Sequence, residues 1–442
     1  MLLFASVLLC HCKKEVEPKV DIPDNNFLKT LIQLGVDINR DDIISPDEAS
    51  WVYDLDVSDK NISSLEGIEA FVNLTSLVCH SNQITSLDVS ENVNLASLFC
   101  HNNQLMNLDV NKNTRLTELS CGANQLTTLE VSNNTMLTFL NCGNNPLSSL
   151  DVSRNTELTE LYCHGNGLTS LDVTENKKLT HLNCDINQLS SLDLSNNTCL
   201  IYLCCSYNKL TSLELTNNAL LEYLECSGNN FTSIDITNNI NLNRFECRAN
   251  QLSSLDISNC IALNALNCEE NKLTTIDLSH NSDLISLSCG ANHLADLDVS
   301  KNINLAYLSC YRTGIDSLDV SKNTGLATLW CQNNYLTSLD VSSNTELRFL
   351  ACSDNQLTSL DLTNLLQLQI LLCGSNQFSS LDISKNTHLG PGDGYLSGCY
   401  LQITDMPTLG KVCVWTLPFP PDGITVETTG SPNVYFATDC SK

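Results

Sequence analysis

The chain has few positive charges, few aromatic residues and no apolar run that could cross a membrane as a helix. Its 442 residues carry 22 Lys plus Arg against 50 Asp plus Glu, a net charge of -28. That balance repels nucleic-acid phosphates and anionic lipid headgroups, which excludes nucleic acid as an electrostatic partner. Beyond the first dozen residues, no stretch approaches the roughly 20 apolar residues of a membrane-crossing helix. No nucleophile, base and oxyanion donor fall into a catalytic arrangement, so the sequence points away from an enzyme. Cysteine is plentiful, with 23 residues. It lacks CxxC spacing and regular histidine partners, so zinc does not account for it.

What is present is repetition. From Leu74 to His388 a 21-residue phrase recurs fifteen times without insertion or deletion, and one cysteine recurs with it, from Cys79 and Cys100 through to Cys352 and Cys373. A fixed period of this length marks a solenoid, in which each coil buries its apolar face only by stacking on its neighbours. Each coil holds two related phrases, LxxLxCxxNx and LxxLDVSxNxx, and each phrase contains a short alternating strand. The predicted fold is mostly β: a solenoid with two parallel sheets, little helix and a cap at each end.

Alternation sorts the coil positions. In the first phrase Leu77 and Cys79 point inward with their equivalents. The inward cysteines should be small buried thiols, because parallel strands about 4.8 Å apart do not bring Cβ atoms to the ~3.8 Å of a disulfide. Cys204 falls on an outward position and is expected to be exposed. Two asparagine rows, beginning at Asn82 and Asn92, should satisfy turn backbone from coil to coil. The first is broken only at Thr313 and the second only at Cys260 and Leu365.

The outward rows of the first phrase change from coil to coil. They carry Phe99, Phe139, Tyr162, Tyr202, Tyr223, Tyr307, Tyr311, Trp330 and Phe349 among charged residues. Upkeep of a solenoid does not require outward aromatics, which are favoured as recognition anchors, so this face is the expected ligand-binding surface. The second phrase presents a nearly invariant S-x-D-x-S face, with an acid in every coil from Asp88 to Asp382. Acids about 4.8 Å apart repel by roughly 0.9 kcal/mol even in water. Hydrogen bonds from the flanking serines or turn amides would offset this, and bridging cations are the alternative.

The flanks carry separate signals. Residues 1–12 form a short apolar segment ending in cysteine and resemble the end of a secretory signal. They also resemble a bacterial lipoprotein signal, which implies lipidation of Cys12 or Cys10. Residues 13–23 read as a tether. Residues 24–73 read as an N-terminal cap, with a short helix leading into DINRDDIISPDE. There Asp37, Asn39, Asp41, the Ile43 carbonyl, Ser45 and Glu48 take EF-hand loop positions 1, 3, 5, 7, 9 and 12, the pattern of a Ca2+ site. Asp42 stands where that loop normally has glycine, and a solvated acidic turn is the alternative reading. The repeat array spans residues 74–388, and residues 389–442 read as a C-terminal cap. In that cap Cys399, Cys413 and Cys440 offer a disulfide whose pairing the sequence leaves open.

LxxLxCxxNxL resembles the leucine-rich repeat, with cysteine in place of one consensus leucine. The nested ten-plus-eleven form resembles bacterial short-repeat members that are internalin-like in the broad sense, and the acidic loop is similar to the N-terminal regions of Bacteroidota surface proteins. The resemblance implies an exported, non-enzymatic adhesion or recognition protein at the bacterial cell surface or outer membrane. Its partner would be a protein or glycan, and it would meet the membrane only through an N-terminal lipid. The alternative function is a structural or cation-dependent surface element using the acidic face.

Overall fold

The computed structural model describes residues 18–390 and 400–440. Cys10, Cys12 and Cys399 lie outside the described residues. The chain divides into two compact units, Met1–Leu147 and Ser148–Lys442.

The first unit opens with helix α1, Asn25–Gln33, whose buried face carries Phe27 and Leu31. Asp24 caps it by accepting from the amides of Asn26 and Phe27, and its second oxygen accepts from the Ser63 amide and hydroxyl. One carboxylate therefore both starts the helix and fastens it to the first coil. A second short helix, α2 at Pro46–Ser50, is held by a capping box in which Ser45 and Glu48 satisfy each other's backbone amides. Strand Asp54–Asp56 then pairs in parallel with Ser76–Val78, which begins a sheet running through Ser97–Phe99, Glu118–Ser120 and Phe139–Asn141. The irregular segment before Leu74 is thus already a coil.

The second unit repeats the same arrangement from Glu160–Tyr162 to Ile370–Leu372, each strand pairing in parallel with its equivalent one period on, as in Leu203↔Leu224. The C-terminal cap extends this order. Leu401–Gln402 and Val426–Glu427 add to the first sheet, while Ser380–Asp382, Lys411–Cys413 and Tyr435–Ala437 form a second parallel sheet. Cys413 and Cys440 form the disulfide, with Cα atoms 5.7 Å apart.

The fold is the mostly β, parallel solenoid that the period predicts, and the second sheet is its less regular half. Across most coils the LDVS phrase forms no ladder, apart from an isolated bridge between Asp88 and Asp109. The acids of this row each accept the amide two residues on, as Asp88 Oδ1 does from Ser90 at 2.9 Å.

Leucine and ladder cysteine fill the interior. Leu77, Cys79, Leu98 and Cys100 are fully buried, as are their equivalents in the second unit. Burial alone pushes the Cys79 and Cys310 thiols up to about 12. Each coil then turns through a left-handed residue such as Ser81, Asn102 or Tyr207, at φ values between 52° and 56°. Such residues cost about 1–2 kcal/mol outside glycine. The neighbouring first-row asparagine offsets this: Asn103 donates to the Cys79 and Cys100 carbonyls and accepts from the Ile84 amide at 3.0 Å. Among the described residues no helix is long and apolar enough to cross a membrane.

Candidate functional site

The first-sheet strands place the outward rows of neighbouring coils in register, so side chains from successive coils meet. In the first unit Phe99 and Phe139 sit half-buried on this face. There His80 and His101 stack at 4.4 Å between ring centroids. Burial lowers the His101 pKa and its neighbour adds to the drop.

In the second unit the expected aromatics are also half-buried rather than fully exposed, because they pack along the row. Tyr202 and Tyr223 stack at 4.5 Å, His181 lies 5.7 Å from Tyr202, and Trp330 stacks on Phe349 at 5.1 Å. The Arg244 guanidinium extends the first series, 5.5 Å from the Tyr223 centroid, while pairing with Glu246 at 2.9 Å. Tyr311 lies across Gly290, where a Cβ would come within 2.5 Å of the ring. Beside it Glu269 is buried and accepts from the Ser309 hydroxyl at 2.8 Å. The sequence thus identified the aromatics but not their mutual stacking.

Cys204 differs from its expectation. It occupies an outward row but is only 1% exposed. Tyr202, two residues back on the same strand, brings its hydroxyl to 2.9 Å from the sulfur, and Glu225 of the next coil closes over it at 3.4 Å. Asp185 of the preceding coil completes a group whose ligand-type atoms all lie within 4.8 Å of one another. Its Oδ1 accepts the Ser206 amide at 2.6 Å, and Tyr223 donates to Glu225 at 3.0 Å. Burial pushes the Asp185 carboxyl up to about 7, against the pull of the Ser206 amide, and the Glu225 carboxylate adds to the rise. Burial also raises the Cys204 thiol above its ordinary range, the opposite of an activated nucleophile. The available sequence signal was the doublet Cys204-Cys205, which breaks the one-cysteine rule of the coil.

The uniform acidic face spends its charge locally. Asp172 accepts from the amide and hydroxyl of Thr174 at 3.0 and 2.7 Å, and these bonds hold it below the ordinary carboxylate value despite repulsion from Asp193 and Asp151. The turn's own donors therefore outweigh the repulsion along the row.

The Asp37–Glu48 loop has part of the expected geometry. Asp42 adopts the left-handed conformation at φ 62°, and Asp37 accepts from the amides of Arg40, Asp41 and Asp42. These are the features a calcium loop requires of its backbone. The last ligand position is otherwise engaged: Glu48 accepts from Ile38, Asn39 and the amide and hydroxyl of Ser45. Burial acts to raise its pKa, but these bonds prevail and lower it. Asn39 and Asp41 accept from amides within the loop, and the Ser45 hydroxyl is held in the helix cap. Asp42 thus supplies the left-handed turn of the sixth loop position, whereas Glu48 would have to exchange four protein donors for an ion.

No family model matches the chain. Among curated proteins it is similar to Internalin J of Listeria monocytogenes, 43% identical over 70 residues, which is 16% of this chain and 8% of that protein. The match therefore spans less than a tenth of that relative's length. Among solved structures it is similar to the functional domain of InlJ from Listeria monocytogenes, described as including a cysteine ladder. The identity is 40% and the TM-score 0.75, over 79% of this chain and 78% of that one. A leucine-rich-repeat protein of Leptospira interrogans shares the fold at 21% identity and a TM-score of 0.67, over 89% of this chain and 97% of that one.

Proposed function

The chain belongs to the internalin-like leucine-rich-repeat proteins, which are surface or protein-interaction modules, and on that premise we propose that it is a non-enzymatic surface recognition module. Its ligand is a protein or glycan, bound by the aromatic-bearing rows of the first sheet. The observation that carries this reading is the contrast within one coil. The second phrase repeats an acid that its own turn consumes, whereas the first phrase changes at every coil and carries the Tyr202–Tyr223 and Trp330–Phe349 stacks. Stacked aromatics have already given up rotamer freedom, so a ligand meets a preorganised surface. The acidic-face alternative is less supported, because those carboxylates already hold turn amides. Export, with lipid attachment at Cys12 or Cys10, belongs to the same reading and rests on the N-terminal sequence.

The test is an array of surface proteins and glycans probed with the chain and with alanine variants at Tyr202, Tyr223, Tyr307 and Trp330. Each variant should weaken the bound ligand about tenfold or more, the loss of one central aromatic anchor. Asp256→Ser and Asp277→Ser, on the other face, should leave binding unchanged. Full binding by all four aromatic variants refutes the assignment.

A further inference from the structure

We propose that Asp185, Cys204 and Glu225 form a site for a zinc-class divalent transition-metal ion. The cluster joins one thiol and two carboxylates from three successive coils, with all donor atoms within 4.8 Å of one another. Cys204 Sγ already lies 3.4 Å from Glu225 Oε2. Ligands around a tetrahedral zinc ion, at Zn–O near 2.0 Å and Zn–S near 2.3 Å, are separated by about 3.3–3.6 Å. The remaining convergence is within the reach of side-chain rotation on a fixed strand register.

Three features distinguish this cluster from an ordinary acidic patch. The sulfur is 1% exposed, so the donor set has a buried floor. Tyr223 donates to Glu225 at 3.0 Å and the Ser206 amide to Asp185 at 2.6 Å, outer contacts that orient the ligands. The two carboxylates are also not ion-paired. Among the described residues neither lies within ion-pair distance of Lys, Arg or His, and Arg244 nearby is paired with Glu246. A divalent cation would supply the missing charge. The thiol selects its type, because thiolate ligands favour zinc-class ions, whereas calcium and magnesium take oxygen. On binding, the Cys204 S–H bond gives its proton to solvent and the sulfur pair forms the bond to the metal, and any proton held by Asp185 leaves as well, so at least one proton is released per ion. Three protein ligands leave a fourth position for water or a donor from outside the chain. The site stands independently of whether the surrounding aromatics recognise a ligand.

The test is titration of the full chain with Zn2+ and, separately, Cd2+, whose thiolate charge-transfer absorption reports a metal–sulfur bond. The expected result is one charge-transfer-reporting equivalent that millimolar Ca2+ and Mg2+ do not displace. Cys204→Ser should abolish the absorption, and Asp185→Asn and Glu225→Gln should each weaken Zn2+ binding at least tenfold while far-ultraviolet circular dichroism is unchanged. The Asn and Gln variants keep the cluster's shape, so they remain informative if the serine variant misfolds. Persistence of the absorption in folded Cys204→Ser, or unaltered Zn2+ affinity in both carboxylate variants, overturns the proposal.

Discussion

The two asparagine rows look alike in sequence, yet the structure gives them unequal weight, and a matched pair of substitutions measures the difference. Asn208, of the first row, donates to the carbonyls of Cys184 and Cys205 and accepts the Leu189 amide at 2.9 Å. Asn208→Leu leaves that buried amide without its acceptor, at about 1–3 kcal/mol, and removes one bond from each of two carbonyls, at about 0.5–1.5 kcal/mol apiece. Those carbonyls still accept from Asn187 and Asn229, so the total is about 2–6 kcal/mol. Asn197, of the second row, donates to the Val173 and Asn176 carbonyls at 2.9 Å, but both also accept backbone amides, and its own Oδ1 is buried without a partner. Asn197→Leu loses two shared bonds and relieves one buried orphan, so the net change lies between about 2 kcal/mol of cost and about 2 kcal/mol of gain. The chain itself makes this replacement at Leu365, where the coil remains closed. Urea unfolding of the full chain, with hydrogen exchange followed at the Leu189 amide, checks the ranking locally, as suits a repeat array that need not unfold in one step. Equal destabilisation by the two variants, or a larger effect from Asn197→Leu, would refute the reasoning.

Other outcomes follow from the same contacts. Under native conditions a thiol-alkylating reagent should label exposed Cys199 among the described free cysteines, and mass spectrometry should find the ladder labelled only after unfolding. At the Asp37–Glu48 loop, the four donors on Glu48 should confine calcium to about millimolar affinity. The melting temperature should then rise between sub-millimolar and ten-millimolar-range CaCl2, and Asp37→Asn should cancel the rise. No shift in the parent chain rejects the calcium proposal. Acid should destabilise the coils, because hydrogen bonds from Thr174 and Thr363 depress the Asp172 and Asp361 carboxyls. For a depressed carboxyl the contribution is complete above its unfolded value, about 3.9, and is lost as pH falls through the lower folded value. The urea midpoint should therefore fall below about pH 4, and a double Asp172→Asn, Asp361→Asn variant should show a shallower decline; an unchanged decline would remove the acids from this role.

The parts of the molecule legible in the sequence are those for which periodicity alone determines the environment. Cys79 and its equivalents have the same neighbours one period away, so burial of one implies burial of all. The same holds for the asparagine rows and for the acids bound to their own turns. Legibility ends where a side chain's surroundings come from a neighbouring coil that differs. Alternation gave the direction of Cys204 but not the height of Tyr202 and Glu225 around it, and their reach buries the sulfur. The Ser45–Glu48 segment shows a second limit. The spacing that supplies positions 9 and 12 of a calcium loop is also the spacing of a helix capping box, and the structure uses it as the cap. The same distinction locates the charge that remains available. Asp172 and its equivalents spend theirs on the amide two residues on, so the negative row is closed within itself. Asp185 and Glu225 lie where a second cysteine interrupts the coil's pattern, share a thiol between them and, among the described residues, form no ion pair. The net charge of the chain therefore says little about where a cation would bind, whereas one irregular cysteine says a good deal.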